Sequence, residues 1–464
     1  MYVLMVFIFI VGYAAIALEH SIKIDKAASA LLTGVLCWTV FILGGEYILT
    51  RGEILETCFF TCQEERYLFE ESTSNPFSDM IPHYIKHELA HHLSEIAEIL
   101  FFLLGAMTIV ELIDAHEGFA VITDRVTTTN KVKLLWILCV LTFFFSAALD
   151  NLTTAIVMAA LLKKLIKDKE DLWLFAGMII VSANAGGAWS PIGDVTTIML
   201  WIGGQVTADN IIVKLIVPSL VCMLVPLIVL SFTQKGDVVR PLGRVEKEHL
   251  ANRTSNFERN LIFFLGVACL LFVPVFKTVT HLPPFMGILF GLGLLWVVTE
   301  ILHKSKNSEE KSKLTVVSVL RHVDTPSMLF FLGILVAVAS LQTAGHLKAM
   351  ATLLQDQLGN IYAINIIIGL LSSIVDNVPL VAGAMGMYDI GPLQEGIAYP
   401  INHPFWEFLA YCAGTGGSCL IIGSAAGVAI MGIMNIDFVW YLKKISFLAL
   451  IGYLAGAVTY ILLY

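Results

Sequence analysis

Two short strings place an acid beside an amide inside otherwise apolar sequence. Residues 147–154 read Ala-Ala-Leu-Asp-Asn-Leu-Thr-Thr and 372–379 read Ser-Ser-Ile-Val-Asp-Asn-Val-Pro, so Asp150-Asn151 and Asp376-Asn377 form a repeated pair. A glycine-rich break follows each, from Asn184 to Asp194 and from Gly414 to Ser424. A buried carboxylate takes up a proton more readily than an exposed one, and it can trade that proton for a cation. Such competition is the chemistry of an antiporter. The alternative use of each Asp is to cap the helix that follows it.

The neighbouring residues add oxygen ligands of the kind that hard cations such as sodium prefer. Thr153 and Thr154 follow the first pair, whereas Pro379 and Leu380 occupy the matching place after the second. Around the first break stand Asn184, Ser190, Asp194, Thr196 and Thr197; the second offers Thr415, Ser418 and Ser424 but no acid. Asp150, Asp194 and Asp376 are the candidate cation and proton sites, with Asn151, Asn377 and the hydroxyls as ligands. The glycines of the first break are expected to turn backbone carbonyls toward an ion. Close helix packing would explain those of the second equally well.

Two further groups need a reading. Glu98 lies about a turn inside an apolar run and is a candidate proton relay or a snorkelling helix-end acid. His87-Glu88-Leu89-Ala90-His91 is formally H-E-x-x-H, the helical zinc motif of metalloproteases. Glu111, as third ligand, would stand about 30 Å from His91 along one helix, so neither zinc nor enzymatic activity is expected. The histidines could instead respond to pH.

The elements that position these residues belong to a membrane. The chain of 464 residues is 57% apolar and 14% charged, with mean hydropathy +0.82. Apolar runs long enough to span fall near 3–18, 27–49, 93–113, 211–232, 258–276, 284–303, 326–345 and 439–463. Segment 134–162, apolar on both sides of Asp150-Asn151, reads as a re-entrant hairpin with arms too short to cross, and 358–387 as its partner. Segments 172–203 and 405–436 read as spans broken at the glycine strings, which are tolerated at depth where the open backbone is buried or lines a cavity.

The expected fold is therefore an all-α polytopic membrane protein with two inverted repeats. Each has three spans, a re-entrant hairpin, a broken span and a final span, an odd number of crossings that inverts the second copy. Residues 1–232 form the first repeat, 233–257 a cytoplasmic linker and 258–464 the second. With the N-terminus outside, 22 of the 28 lysines and arginines fall in cytoplasmic loops. This matches the positive-inside bias and puts both termini outside the cytoplasm. The first span lacks the positive n-region of a cleaved signal peptide.

The net charge of −9 gives no hint of nucleic acid binding, and much of it lies in the acidic outer segment 50–92. Only Cys58 and Cys62 lie in aqueous sequence, where an oxidising exterior would permit a bridge.

These strings resemble the NhaD-type sodium/proton antiporters of the ion transporter superfamily, which also holds arsenite and dicarboxylate carriers. The likeness rests on Glu88 to His92, Glu98 to Thr108, the Leu149 to Thr154 tip, Asn184 to Thr197, Asp376-Asn377 and Gly414 to Gly427. It implies exchange of cytoplasmic sodium, with lithium as a second candidate, for external protons in a bacterial inner membrane. It needs no cofactor, and it implies a scaffold that often dimerises beside a moving transport domain. The positions that resemble the family's functional residues are Asp150, Asn151, Asn184, Asp194, Thr196, Thr197, Asp376 and Asn377, followed by Glu98, Ser372 and Ser418. The dicarboxylate relatives carry Ser-Asn-Thr at the tips. An Asp at each tip here would repel an anionic substrate, which leaves the anion carrier as the alternative reading.

Overall fold

A computed structural model of the chain describes residues 1–17, 19–51, 76–123, 125–241, 254–304, 314–394 and 396–464. Cys58 and Cys62 and most of the acidic outer segment lie outside these. Among the described residues, nine helices are long and apolar enough to cross a membrane. The only strands there are two-residue β1 (Asp389–Ile390) and β2 (Ala398–Tyr399), paired in parallel. The chain is an all-α polytopic membrane protein.

Its longer helices begin with α1 (Tyr2–Ala17), α2 (Lys26–Leu43) and the forty-residue α3 (Pro76–Ala115). Next come α4 (Lys131–Leu149), α5 (Asn151–Leu165), α6 (Lys169–Ala188), α7 (Val195–Ile202) and α8 (Ala208–Thr233). The second half runs through α9 (Asn256–Thr280), α10 (Pro284–Leu302), α11 (Thr325–Thr343), α12 (His346–Leu358), α13 (Ile361–Leu371) and α14 (Asn377–Met387). It closes with α15 (Pro404–Gly416), α16 (Ala425–Met434), α17 (Phe438–Lys444) and α18 (Ser446–Leu463).

Polar residues fix many of these boundaries, because a helix start leaves backbone N–H groups without partners. Asn130 accepts from Lys133 N at the start of α4, Asp168 from Asp171 N at α6, and Ser255 with Glu258 forms a capping box at α9.

Four sequence expectations change. The third span does not begin near 93: the helix starts at Pro76, so part of the presumed outer loop is helical. The first hairpin is unequal, since α4 has 19 residues and is long enough to cross. In the first broken span, α6 continues through Gly186 and Gly187 to Ala188, and the helix opens only over Trp189 to Asp194. The last span is shorter than 439–463, because α17 turns off as a separate helix, bent 117° from α16.

The chain divides into two compact units, each drawing on both halves of the sequence. The first comprises Met1–Leu100, Asp324–Asn360 and Val378–Pro400. Its core is α2 against α11, where Gly34 and Gly333 let the backbones touch: a Cβ on Gly34 would lie 2.8 Å from the Gly333 carbonyl. Trp38 Nε1 donates to Val336 O across the same contact at 2.9 Å. The second unit holds Phe101–Val323, Ile361–Asn377 and Ile401–Tyr464. Here α6 packs on α4 and α5, α13 on α15, α8 on α18, and α16 on α5.

Candidate functional site

Asp150 joins α4 to α5 in a conformation that an L-residue rarely takes, φ 96° and ψ 159°. Its Oδ1 accepts from Thr153 N at 2.8 Å and its Oδ2 from the Thr153 hydroxyl at 2.7 Å, so the capping use is realised. Strain of this kind persists where the surroundings over-determine it, often at functional positions. Asn151 points the other way and is buried: its Nδ2 donates to Asp194 Oδ2 at 2.5 Å and to Asn184 Oδ1 at 3.1 Å. Thr154 is fully buried, and its hydroxyl oxygen has no hydrogen-bond partner among the described residues. An oxygen in that position is a candidate ligand for a cation.

Asp194 is the N-cap of α7 and is 1% exposed. Oδ1 accepts from Thr196 N and the Thr196 hydroxyl, both at 2.8 Å, and from Asn377 Nδ2 at 3.4 Å. One carboxylate thus receives an amide from each Asp-Asn string, Asn151 on one oxygen and Asn377 on the other. Thr197 turns its hydroxyl to the Asp194 carbonyl at 2.8 Å.

Asn184 extends the network into the second half. Its Nδ2 donates to the hydroxyls of Ser418 and Ser424, each at 2.9 Å. Ser424 caps α16 by accepting from Gly427 N, as Asp194 caps α7, and Tyr441 OH holds the Ser418 carbonyl at 2.8 Å. Asn151, Asn184, Asp194, Asn377, Ser418 and Ser424 therefore form one buried hydrogen-bonded hub. It contains a single carboxylate.

The glycines act by close approach rather than by turning carbonyls outward, a correction to the sequence reading at Gly186 and Gly187. Within α6, a Cβ on Gly186 would collide with the Phe143 carbonyl and one on Gly187 with the Gly193 carbonyl. Gly416 meets the Gly369 carbonyl and Gly417 the Gly423 carbonyl in the same way. Matching hydroxyl ties accompany them: Ser146 Oγ donates to Ala183 O at 2.5 Å, and Ser372 Oγ to Ala413 O at 2.8 Å.

The remaining expected residues lie at the second tip, on α15 and on α3. Asp376 is half-buried at the second tip, and Thr415 donates to the Tyr411 carbonyl at 2.5 Å. Glu98 is half-buried on α3, in the other compact unit. His87 and His91 are exposed on α3, whereas His92 turns inward to Glu95 at 3.3 Å and Thr343 at 3.2 Å. Glu111 lies on the same helix as His91, about 30 Å away by helical rise, so it completes no zinc site with them. Sequence reasoning noted Ser424 only as one hydroxyl of its string and passed over Glu407, a buried acid that accepts from Asn210 and Tyr460. Ser424 was findable, since it follows Gly423 as Asp194 follows Gly193.

This arrangement, two acid-bearing tips and two helix breaks around one buried carboxylate, is that of an ion-handling membrane carrier. The family profile described as citrate transporter matches residues 4–402. "Sodium/proton antiporter 1" of Arabidopsis thaliana is 43% identical over 99% of this chain and 72% of its own length, and "Sodium/proton antiporter 2" of the same plant is 41% identical over 98% of both. "Na(+)/H(+) antiporter NhaD" of Alkalimonas amylolytica is 30% identical over 92% of this chain and 83% of that protein. The chain belongs to the NhaD-type sodium/proton antiporter family, within the wider citrate transporter family.

Proposed function

We propose that this protein exchanges cytoplasmic sodium, or lithium in its place, for external protons, with cation and proton competing for intramembrane carboxylates and Asp194 at their centre. The observation that carries the reading is the meeting of both tip amides on the one buried Asp194 carboxylate. The names of the relatives supply the ions. Asn151, Asn184, Asn377, Thr154, Thr196 and Thr197 are the candidate oxygen ligands around it, with Ser418 and Thr415 beyond. Asp150 with Thr153, and Asp376 near Ser372, are the tip acids, and Glu98 is a candidate relay. Sodium and protons are cargo, and the chemistry requires no cofactor.

The assigned architecture is two inverted repeats, 1–232 and 258–464, joined by a cytoplasmic linker over 233–257, with both termini outside the cytoplasm. Its support is the recurrence of the same glycine approaches and hydroxyl ties at corresponding tips and breaks, together with the charge bias of the loops. A bacterial inner membrane and a homodimer follow the family resemblance. The Arabidopsis relatives make a plant membrane the competing location.

The citrate transporter profile favours a second reading, an anion carrier. Against it stands the Asp194 carboxylate, whose charge would repel a carboxylate substrate in a low-dielectric site. Collapse of a pH gradient in everted vesicles separates the two. Sodium or lithium should collapse it, and citrate or arsenite should not; a response to citrate alone overturns the antiporter.

A further inference from the structure

We propose that Glu407 is the acid that takes up protons from the outer face and passes them toward the Asp194 hub. The inference rests on the antiporter reading and adds to it a residue outside the hub. Glu407 lies in the first turn of α15 and is 2% exposed. Its Oε2 accepts from the Tyr460 hydroxyl of α18 at 2.5 Å, and its Oε1 from the Asn210 amide of α8. Both donors are neutral. Among the described residues no lysine or arginine pairs with it.

A buried carboxylate held only by neutral donors is an expensive way to tie three helices together, since a glutamine or serine could hydrogen-bond there without a charge. This carboxylate stands in the first turn of α15 and meets one neutral donor from each of two neighbouring helices.

Its position gives the proton a direction. Glu407, Tyr411 and Thr415 recur every fourth residue along one face of α15, a run of about 12 Å by helical rise. Thr415 donates to the Tyr411 carbonyl, and three residues later Ser418 takes the Asn184 amide of the hub. The outer end follows from the orientation proposed above, in which 388–404 lies outside.

The other titratable groups around Glu407 come from each packed element. His403 caps α15 by accepting from Phe405 N at 3.2 Å; burial holds its imidazole below the usual range, and the charge of Glu407 pulls the other way. From α18 comes Tyr460, from just beyond its end Tyr464, and from α13 Tyr362, which meets Phe408. On α8, Asp209 is exposed, and Lys214 lies 3.9 Å from the centre of the Tyr464 ring.

The test uses the full chain in sealed proteoliposomes and compares two modes. Sodium-driven proton movement needs proton uptake. Exchange of labelled for unlabelled sodium at equal pH does not. Glu407→Gln is expected to slow the first at least about tenfold, as loss of a positioned proton-transfer group does, with sodium-for-sodium exchange changed less than twofold. Tyr460→Phe removes a donor to the carboxylate, so the external pH for half-maximal exchange should rise by about half a unit, with no change in the internal dependence. If Glu407→Gln lowers both modes together, or neither, the residue is a structural tie and the proposal fails. If that variant does not reach the membrane, an unshifted profile in Tyr460→Phe overturns it. A wild-type protein that shuttles sodium without moving protons would instead overturn the antiporter reading.

Discussion

Asp150 and Asp194 cap helices with the same side chain, yet only Asp194 also receives amides from two other segments. Asparagine caps a helix about as well as aspartate, so it separates the cap from the charge. Asp194→Asn and Asp150→Asn are each expected to keep the folded protein in the membrane, with a melting temperature within a few degrees of wild type. Sodium-driven proton movement should fall by at least about 100-fold in both, the scale set by removing an obligatory acid. An Asp whose variant still exchanges at the normal rate acts only as a cap. The same competition fixes a pH dependence. A proton and a cation cannot share one carboxylate, so the sodium concentration for half-maximal exchange should rise as pH falls, close to tenfold per unit where the acid is mostly protonated. A half-saturation that ignores pH rules out competition.

The breaks set the geometry of that carboxylate through glycine contacts. A methyl group at Gly193 would come within 2.8 Å of the Gly187 Cα and the Ser146 carbonyl, and one at Gly423 within 2.5 Å of the Ser373 carbonyl. Backbone cannot yield as a flexible side chain can. Gly193→Ala and Gly423→Ala should each cost about 1 to 3 kcal/mol, seen as earlier loss of the monodisperse peak on heating in detergent. Gly293→Ala, with open space around it, is the control and should be unchanged. Much of the site was legible in the sequence because an Asp-Asn pair or a glycine run inside apolar sequence has few bland explanations. The exact openings were not. A glycine marks either a bend or a close approach, and Gly186 and Gly187 proved to be the second kind. Glu407 escaped notice because an acid three residues after Pro404 reads as an ordinary first-turn residue; only the fold brings Tyr460 and Asn210 to it.

For the whole molecule, the duplicated contacts of tips and breaks favour two copies of one unit, and the loop charges favour opposite orientations. Membrane-impermeant thiol reagents should therefore label single cysteines placed in 163–171 from the cytoplasmic face and those in 388–404 from the outside. Labelling of both from one face excludes the inverted arrangement. Spans such as α8 to α11 matched their apolar runs within a few residues, since hydropathy alone fixes a helix that must cross lipid. The bend before α17 carries no comparable signal, because Asn435 and Asp437 look like any loop between two helices.

Where the first half places Asp194 at its break, the second half places Ser424, so the hub can hold one negative charge. Swapping a proton for a sodium ion on one carboxylate leaves its net charge the same. In the proposed exchange the loaded hub is electrically identical in both directions of travel, and a one-for-one cycle through it would be blind to voltage. A cycle driven by membrane potential must empty a second acid on each turn, gaining about 2.3 kcal/mol per charge per 100 mV. We propose the half-buried Asp376 at the second tip as that acid. Wild-type exchange is then expected to speed up under an imposed potassium diffusion potential, and Asp376→Asn to run at a rate that no longer responds to it. Stimulation that persists in Asp376→Asn would locate the extra charge at another acid.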